Sequence, residues 1–226
     1  MTYIIDNLSA LRHWYRAPNR HGELPTQYLG PILAGSSASV KVLKRLDEEG
    51  LGFPDRPLHL LVSAQSRRNP SKRIICHQRT IPLPPNSLQQ LRPGLFIASP
   101  ELCFLEAASI LPFPKLIELG CFLCGTYYLD PQTGMMNGKQ QLTTKAKLTL
   151  FLESAGGSHG CAQAAQALRF IAEGAASPYE AKLCLLLCLP TKQGGYGFPF
   201  PALNHCIRFA KRDRALFGHD HVVVDL

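Results

Sequence analysis

The feature that most constrains the fold is a change of pattern at Asp55. Before it, apolar residues recur at helical spacing and predict one helix over 2–14 and a second over 31–51, which ends at Gly50. After it, short β-rich runs take over. A chain that joins helical and β-rich segments in this way is typical of a mixed fold.

Three β-rich runs follow the change. They are PLHLLVSA, RIICHQRTI and GLFIAS. The first two flank the basic turn QSRRNPSKR and are predicted to pair as a β-hairpin. The segment 82–93 holds four prolines and is predicted to be a loop.

Two further segments carry the same signal for the start of a helix. Ser99-Pro100-Glu101 and Ser177-Pro178-Tyr179-Glu180 each combine a hydroxyl cap, a proline in the first turn and a carboxylate near the positive end of the helix dipole. With apolar helices over 112–125, 142–152 and 161–175, they predict an α/β (α+β) fold. The best boundary is the polar loop 130–141, which divides the chain into 1–130 and 142–226.

Composition favours a globular intracellular protein. Of the 226 residues, 46% are hydrophobic and 18% charged, and no apolar run approaches the roughly 20 residues of a membrane helix. The N-terminus has no basic region ahead of an apolar one, so we expect no secretion signal and a cytoplasmic location. We therefore expect reduced cysteines and no membrane partner.

Cysteine spacing offers one alternative to plain burial. Cys121-x-x-Cys124 has the spacing of a redox or zinc pair, but a zinc site needs four ligands and no second pair follows. The segment LGCFLCG is apolar, and so is the helix that carries Cys184 and Cys188. Buried thiols are the better prediction for both pairs.

Positive charge permits contact with nucleic acid. The formal net charge is +8, and basic residues form two clusters. The candidate phosphate contacts are Arg67, Arg68, Lys72, Arg73, Arg208, Lys211 and Arg212. A solvated surface is the alternative for each cluster, and few aromatic residues lie around them, so these clusters do not predict base stacking.

The C-terminal third carries a more specific pattern. It consists of Ser177-Pro178-Tyr179-Glu180, LCLLLCLP, GGYGFPFPALN and the final HVVVDL. This order resembles bacterial restriction-endonuclease-like proteins of the PD-(D/E)XK superfamily, related to very-short-patch-repair nucleases. The segment 56–116 is similar to the C-terminal region of AbiEi-type antitoxin proteins.

The resemblance implies a metal site. In such nucleases carboxylates hold Mg²⁺, which polarises the scissile phosphate and activates water. The resemblance assigns catalytic and metal-binding roles to Glu180 and Asp225. The second acidic strand of the family has no counterpart before Leu226, so we expect an incomplete, truncated site and no certain cofactor. For Glu180 the alternative is a carboxylate that stabilises the first turn of its helix, and for Asp225 it is a solvated terminal acid.

Three functions follow as hypotheses. The first is a non-catalytic nucleic-acid-associated protein, with DNA as the partner, related to defence or toxin–antitoxin systems. The second is an active Mg²⁺-dependent DNA endonuclease. The third is an antitoxin or regulator that acts through contact with a toxin or another partner protein.

Overall fold

The structure is a computed structural model of the 226-residue chain. It describes residues 2–16, 23–25, 29–51, 53–63, 71–130, 132–201, 203, 205–208 and 221–224. Over these ranges no helix has the length and apolar character needed to cross a membrane.

Helices and strands are mixed along the chain, which confirms the predicted α/β (α+β) class. The helices are α1 (Asn7–Arg16), α2 (Leu29–Ala34), α3 (Lys41–Glu48), α4 (Pro100–Ala107), α5 (Phe113–Cys124), α6 (Lys145–Ser154), α7 (Cys161–Leu168) and α8 (Pro178–Cys188). The strands are β1 (Tyr3–Ile5), β2 (Glu23–Pro25), β3 (Leu58–Ser63), β4 (Ile74–Arg79), β5 (Leu88–Arg92), β6 (Leu95–Ala98), β7 (Tyr127–Leu129), β8 (Met136–Gly138), β9 (His205–Arg208) and β10 (His221–Val224).

Six strands form the main sheet in the order β2-β5-β6-β1-β3-β4. Strand β1 lies inside it, parallel to β6 and antiparallel to β3, and all three of its residues are buried. The prediction of a helix over 2–14 is therefore wrong at its start, because the helix begins only at Asn7. A strand buried on both faces loses the alternation of polar and apolar residues that would reveal it.

Strands β3 and β4 pair in parallel, so the predicted hairpin between them is wrong. A parallel pair cannot be joined by a tight turn. The hairpin of this sheet is instead β5–β6, which turns at Pro93 and Gly94, where Gly94 has a φ of 72°. Strand β5 lies wholly within the segment 82–93, so the loop that the prolines predict there is wrong over 88–92.

Helix α1 is tied to the sheet at two points. The indole nitrogen of Trp14, 1% exposed, donates to the Ala98 carbonyl at 3.0 Å. The Ser9 hydroxyl accepts a hydrogen bond from the His59 backbone N–H at 3.0 Å. These bonds fix α1 against β6 and β3.

The predicted helix starts are confirmed. Ser99 accepts from the Leu102 N–H at 3.2 Å at the start of α4, and Ser177 accepts from the Glu180 N–H at 3.1 Å at the start of α8. Thr144, one of the two predicted caps of α6, accepts from the Lys147 N–H at 3.1 Å. Short-range capping chemistry determines all three starts.

Helices on both sides of the predicted boundary share one core. The antiparallel pair β7–β8 occupies the segment around 130–141, and α4 and α5 before it pack against α6 and α7 after it. At the centre of this contact, a Cβ on Gly120 would lie 2.3 Å from Cδ1 of Ile171. The division into 1–130 and 142–226 stays a prediction.

Candidate functional site

The edge strand β4 carries exposed positive charge. It is the last strand of the main sheet, and Lys72 and Arg73 lie exposed in the turn immediately before it. Neither forms an ion pair within the described part of the chain. At the other end of the strand, the half-buried Arg79 donates from Nε to the Ile81 carbonyl at 3.3 Å. Within the described part of the chain, Lys72 and Arg73 are therefore two cations at this edge that no acidic side chain pairs with.

The charge of the whole surrounding segment has one sign. Between Asp55 and Glu101 the sequence contains no aspartate or glutamate. It contains seven basic residues: Arg56, Arg67, Arg68, Lys72, Arg73, Arg79 and Arg92. The two basic clusters taken alone do not show this absence of acidic residues. It becomes visible only when the whole segment that carries β3, β4, β5 and β6 is considered.

Two histidines join β4 to β3 on the same face of the sheet. His59 Nδ1 lies 2.7 Å from His77 Nε2, and the rings stack at 14° with centroids 5.0 Å apart. One ring donates and the other accepts, so at least one must be neutral in this contact. Burial and the neighbouring His77 lower the pKa of His59 to about 4. His59 is therefore neutral in the folded protein at physiological pH.

A buried carboxyl pair lies beside the histidines. Asp6 follows β1, is 0% exposed, and its backbone N–H bonds to the His59 carbonyl at 3.0 Å. Neither Asp6 oxygen, nor Oε2 of Glu106 on α4, makes a hydrogen bond of normal geometry in the described chain. Burial raises the pKa of both carboxyls, and for Glu106 the nearby Asp6 adds to the rise. Burial and the neighbouring acid therefore favour the protonated form of these carboxyls.

The surroundings of the pair leave little room for a ligand. An apolar cleft between α1 and α4 of about 30 Å³ has Glu106 in its lining. Such a volume accommodates roughly one or two water molecules. Across the described residues, no group of three or more histidine, cysteine or acidic side chains is arranged to hold a metal ion. The cleft that Glu106 lines is therefore too small for a substrate.

Glu180 is engaged in capping its own helix. Its Oε2 accepts a hydrogen bond from the Ala176 N–H at 3.0 Å, while Ser177 accepts from the Glu180 N–H. This reciprocal arrangement is a variant of the capping box, in which the carboxylate satisfies a free donor ahead of the helix. The local geometry therefore agrees with a stabilising role in the first turn.

The other predicted site residues are only partly described. Lys72 and Arg73 are exposed beside β4, and Arg208 is exposed on β9, opposite His221 of β10. The residues that lie outside the described ranges are Arg67, Arg68, Lys211, Arg212 and Asp225. In the described chain Glu180 is therefore a lone candidate ligand for Mg²⁺, and one carboxylate does not make a magnesium site. We derive no step through a metal.

The cysteines match the prediction of buried thiols. Five of them are buried, namely Cys103, Cys121, Cys124, Cys184 and Cys188. Burial raises the pKa of Cys121 to about 12 and also raises that of Cys124, so neither is an activated thiolate. Cys184 is buried on α8, where burial raises its pKa to about 11.

Comparison of this chain with protein-family models, with curated proteins and with solved structures finds no match.

Proposed function

We propose that the protein is a non-catalytic DNA-binding protein that contacts the phosphate backbone at the β4 edge of its main sheet. The observation that carries the proposal is the unneutralised pair Lys72 and Arg73 at an edge strand, within a segment that has no acidic residue. Cations on an exposed, rigid edge attract phosphates and release the counterions condensed on DNA.

Two features support a binding role at this edge. The pairing of β4 with β3 and the His59–His77 contact hold the strand in place, so the cations are displayed on a fixed scaffold. Arg79, at the far end of the strand, interacts electrostatically with the acid pair, whereas among the described residues Lys72 and Arg73 form no ion pair. A link to defence or toxin–antitoxin systems remains a proposal from resemblance alone.

The test is the salt dependence of duplex binding by fluorescence anisotropy. The plot of log K against log salt has a negative slope, and its magnitude decreases by about 0.9 for each phosphate that the protein no longer neutralises. The double variant Lys72→Glu/Arg73→Glu should therefore reduce the magnitude of the slope by about 2. The matched control is Lys41→Glu/Arg169→Glu, which makes the same charge change at an exposed lysine and an exposed arginine on other elements.

Two results would contradict the proposal. One is a duplex affinity that does not change with salt. The other is an equal decrease of slope in the two double variants, since net charge rather than the β4 edge would then explain binding.

A further inference from the structure

Helix α8 has an exposed apolar and aromatic face. Tyr179 is 76% exposed, and Lys182, Leu183 and Leu186 follow it on the same side of the helix at exposed positions. The ammonium of Lys182 lies 5.9 Å from the centre of the Tyr179 ring. Exposed apolar faces of this kind mark binding surfaces.

The loop after α8 extends this face with two more rings. Tyr196 and Phe198 are 64% and 58% exposed, and their rings lie 6.2 Å apart at an angle of 22°. Lys192 is exposed in the short 3₁₀ turn Thr191–Gln193 that leads to them. We call Tyr179, Lys182, Leu183, Leu186, Tyr196 and Phe198 the aromatic surface.

The backbone fixes these rings in their exposed positions. The N–H groups of Tyr196 and Phe198 donate to the carbonyls of Leu186 and Leu187, each at 2.9 Å. Between them and α8, Gly195 is packed so closely that a Cβ would lie 2.1 Å from the Leu189 carbonyl oxygen. The loop satisfies the last carbonyls of the helix, so ring exposure is built into the fold.

Charge decides what such a surface can bind. The sequence has no acidic residue from 181 to 212, and the carboxylate of the preceding residue, Glu180, accepts from the Ala176 N–H. Near-parallel rings beside lysines that form no ion pair with any described residue offer stacking faces for bases and cations for phosphates. A protein partner for an apolar face would not require the one-sided charge.

We propose that the aromatic surface binds single-stranded nucleic acid, with bases stacked on Tyr196 and Phe198 and phosphates near Lys182 and Lys192. This goes beyond duplex contact at β4, because it involves a different set of residues and a ligand with unpaired bases. Stacking on aromatic rings tolerates any base, so the expected binding has little sequence preference.

The probe is a labelled 15-nucleotide oligothymidine, titrated with the 226-residue chain and followed by fluorescence anisotropy. Loss of a stacked base weakens binding about 5- to 150-fold. Tyr196→Ala/Phe198→Ala should therefore weaken binding at least about 25-fold if both rings stack. Tyr196→Phe keeps the ring and should retain the affinity, and Leu150→Ala, which removes an exposed leucine from α6, should also leave it unchanged.

The same titration in the Lys72→Glu/Arg73→Glu background separates this proposal from the duplex proposal. The ratio of affinities with and without the two rings should persist there, whatever happens to duplex binding. Equal affinity of the ring-less variant and the wild type would overturn the inference. A second outcome would also overturn it: the wild type sediments as a dimer, the ring-less variant sediments as a monomer, and neither binds the oligonucleotide. A second copy of the chain would then cover the aromatic surface.

Discussion

Replacing Glu106 by glutamine should change how the stability of the protein depends on pH. In the wild type, the folded protein keeps a proton on the Asp6–Glu106 pair because burial raises the pKa of both carboxyls. The unfolded chain releases that proton above the ordinary carboxyl pKa of 3.8 to 4.5. A group with a raised pKa contributes stability at low pH and loses it as pH rises toward its folded pKa.

The magnitude follows from linkage. For each pH unit between the ordinary carboxyl pKa and the raised pKa of the folded state, the free energy of unfolding falls by about 1.4 kcal/mol for each proton that only the folded state retains. As the pH rises between those two pKa values, the wild type should therefore lose stability relative to Glu106→Gln. The glutamine amide can donate to the Asp6 carboxylate and carries no titrating proton. For a chain of this size each kcal/mol corresponds to roughly 2–4 °C in Tm.

Urea unfolding at several pH values measures this difference. The single tryptophan, Trp14, is buried against β6, so its fluorescence reports unfolding close to the carboxyl pair. His59 acts in the opposite direction, because its pKa is lowered to about 4 and its stabilising effect is lost as pH falls below 6.5. Since both proteins contain His59, its effect cancels in the comparison.

The control is Glu153→Gln, which removes an exposed carboxyl from α6. Its stability should run parallel to that of the wild type over the same pH range. If Glu106→Gln also runs parallel, the pair does not hold a proton in the folded protein and the reasoning is refuted.

Two further predictions concern packing and capping. Gly120→Ala should destabilise the protein by about 1–3 kcal/mol, because the new methyl would lie 2.3 Å from Cδ1 of Ile171. The control, Gly30→Ala in α2, meets no atom within 4 Å and should be neutral or stabilising. Thermal unfolding compares the two variants, and equal effects would contradict the close packing at Gly120. Ser177→Ala should cost about 0.5–2 kcal/mol by removing the cap of α8, and urea unfolding should show Ser177→Thr, which keeps the hydroxyl, to be much milder.

Local chemistry in the sequence determined where several helices begin. Ser99 and Ser177 cap the helices that follow them because a hydroxyl, a proline and a carboxylate act within one turn, without help from distant residues. The mixed fold class and the buried thiols follow from patterns of the same range. The start of α8 at Pro178 was predictable, and so was the stabilising alternative for the Glu180 carboxylate.

Tertiary structure decided what the short patterns could not. Tyr3–Ile5 is a strand because β6 and β3 lie on either side of it, and a three-residue segment carries too little periodicity to show this. The parallel pairing of β3 with β4 depends on the connection between them and not on either run. Asp6 and Glu106 lie 100 positions apart in the sequence, so only the packing of α4 against α1 and β6 brings them close.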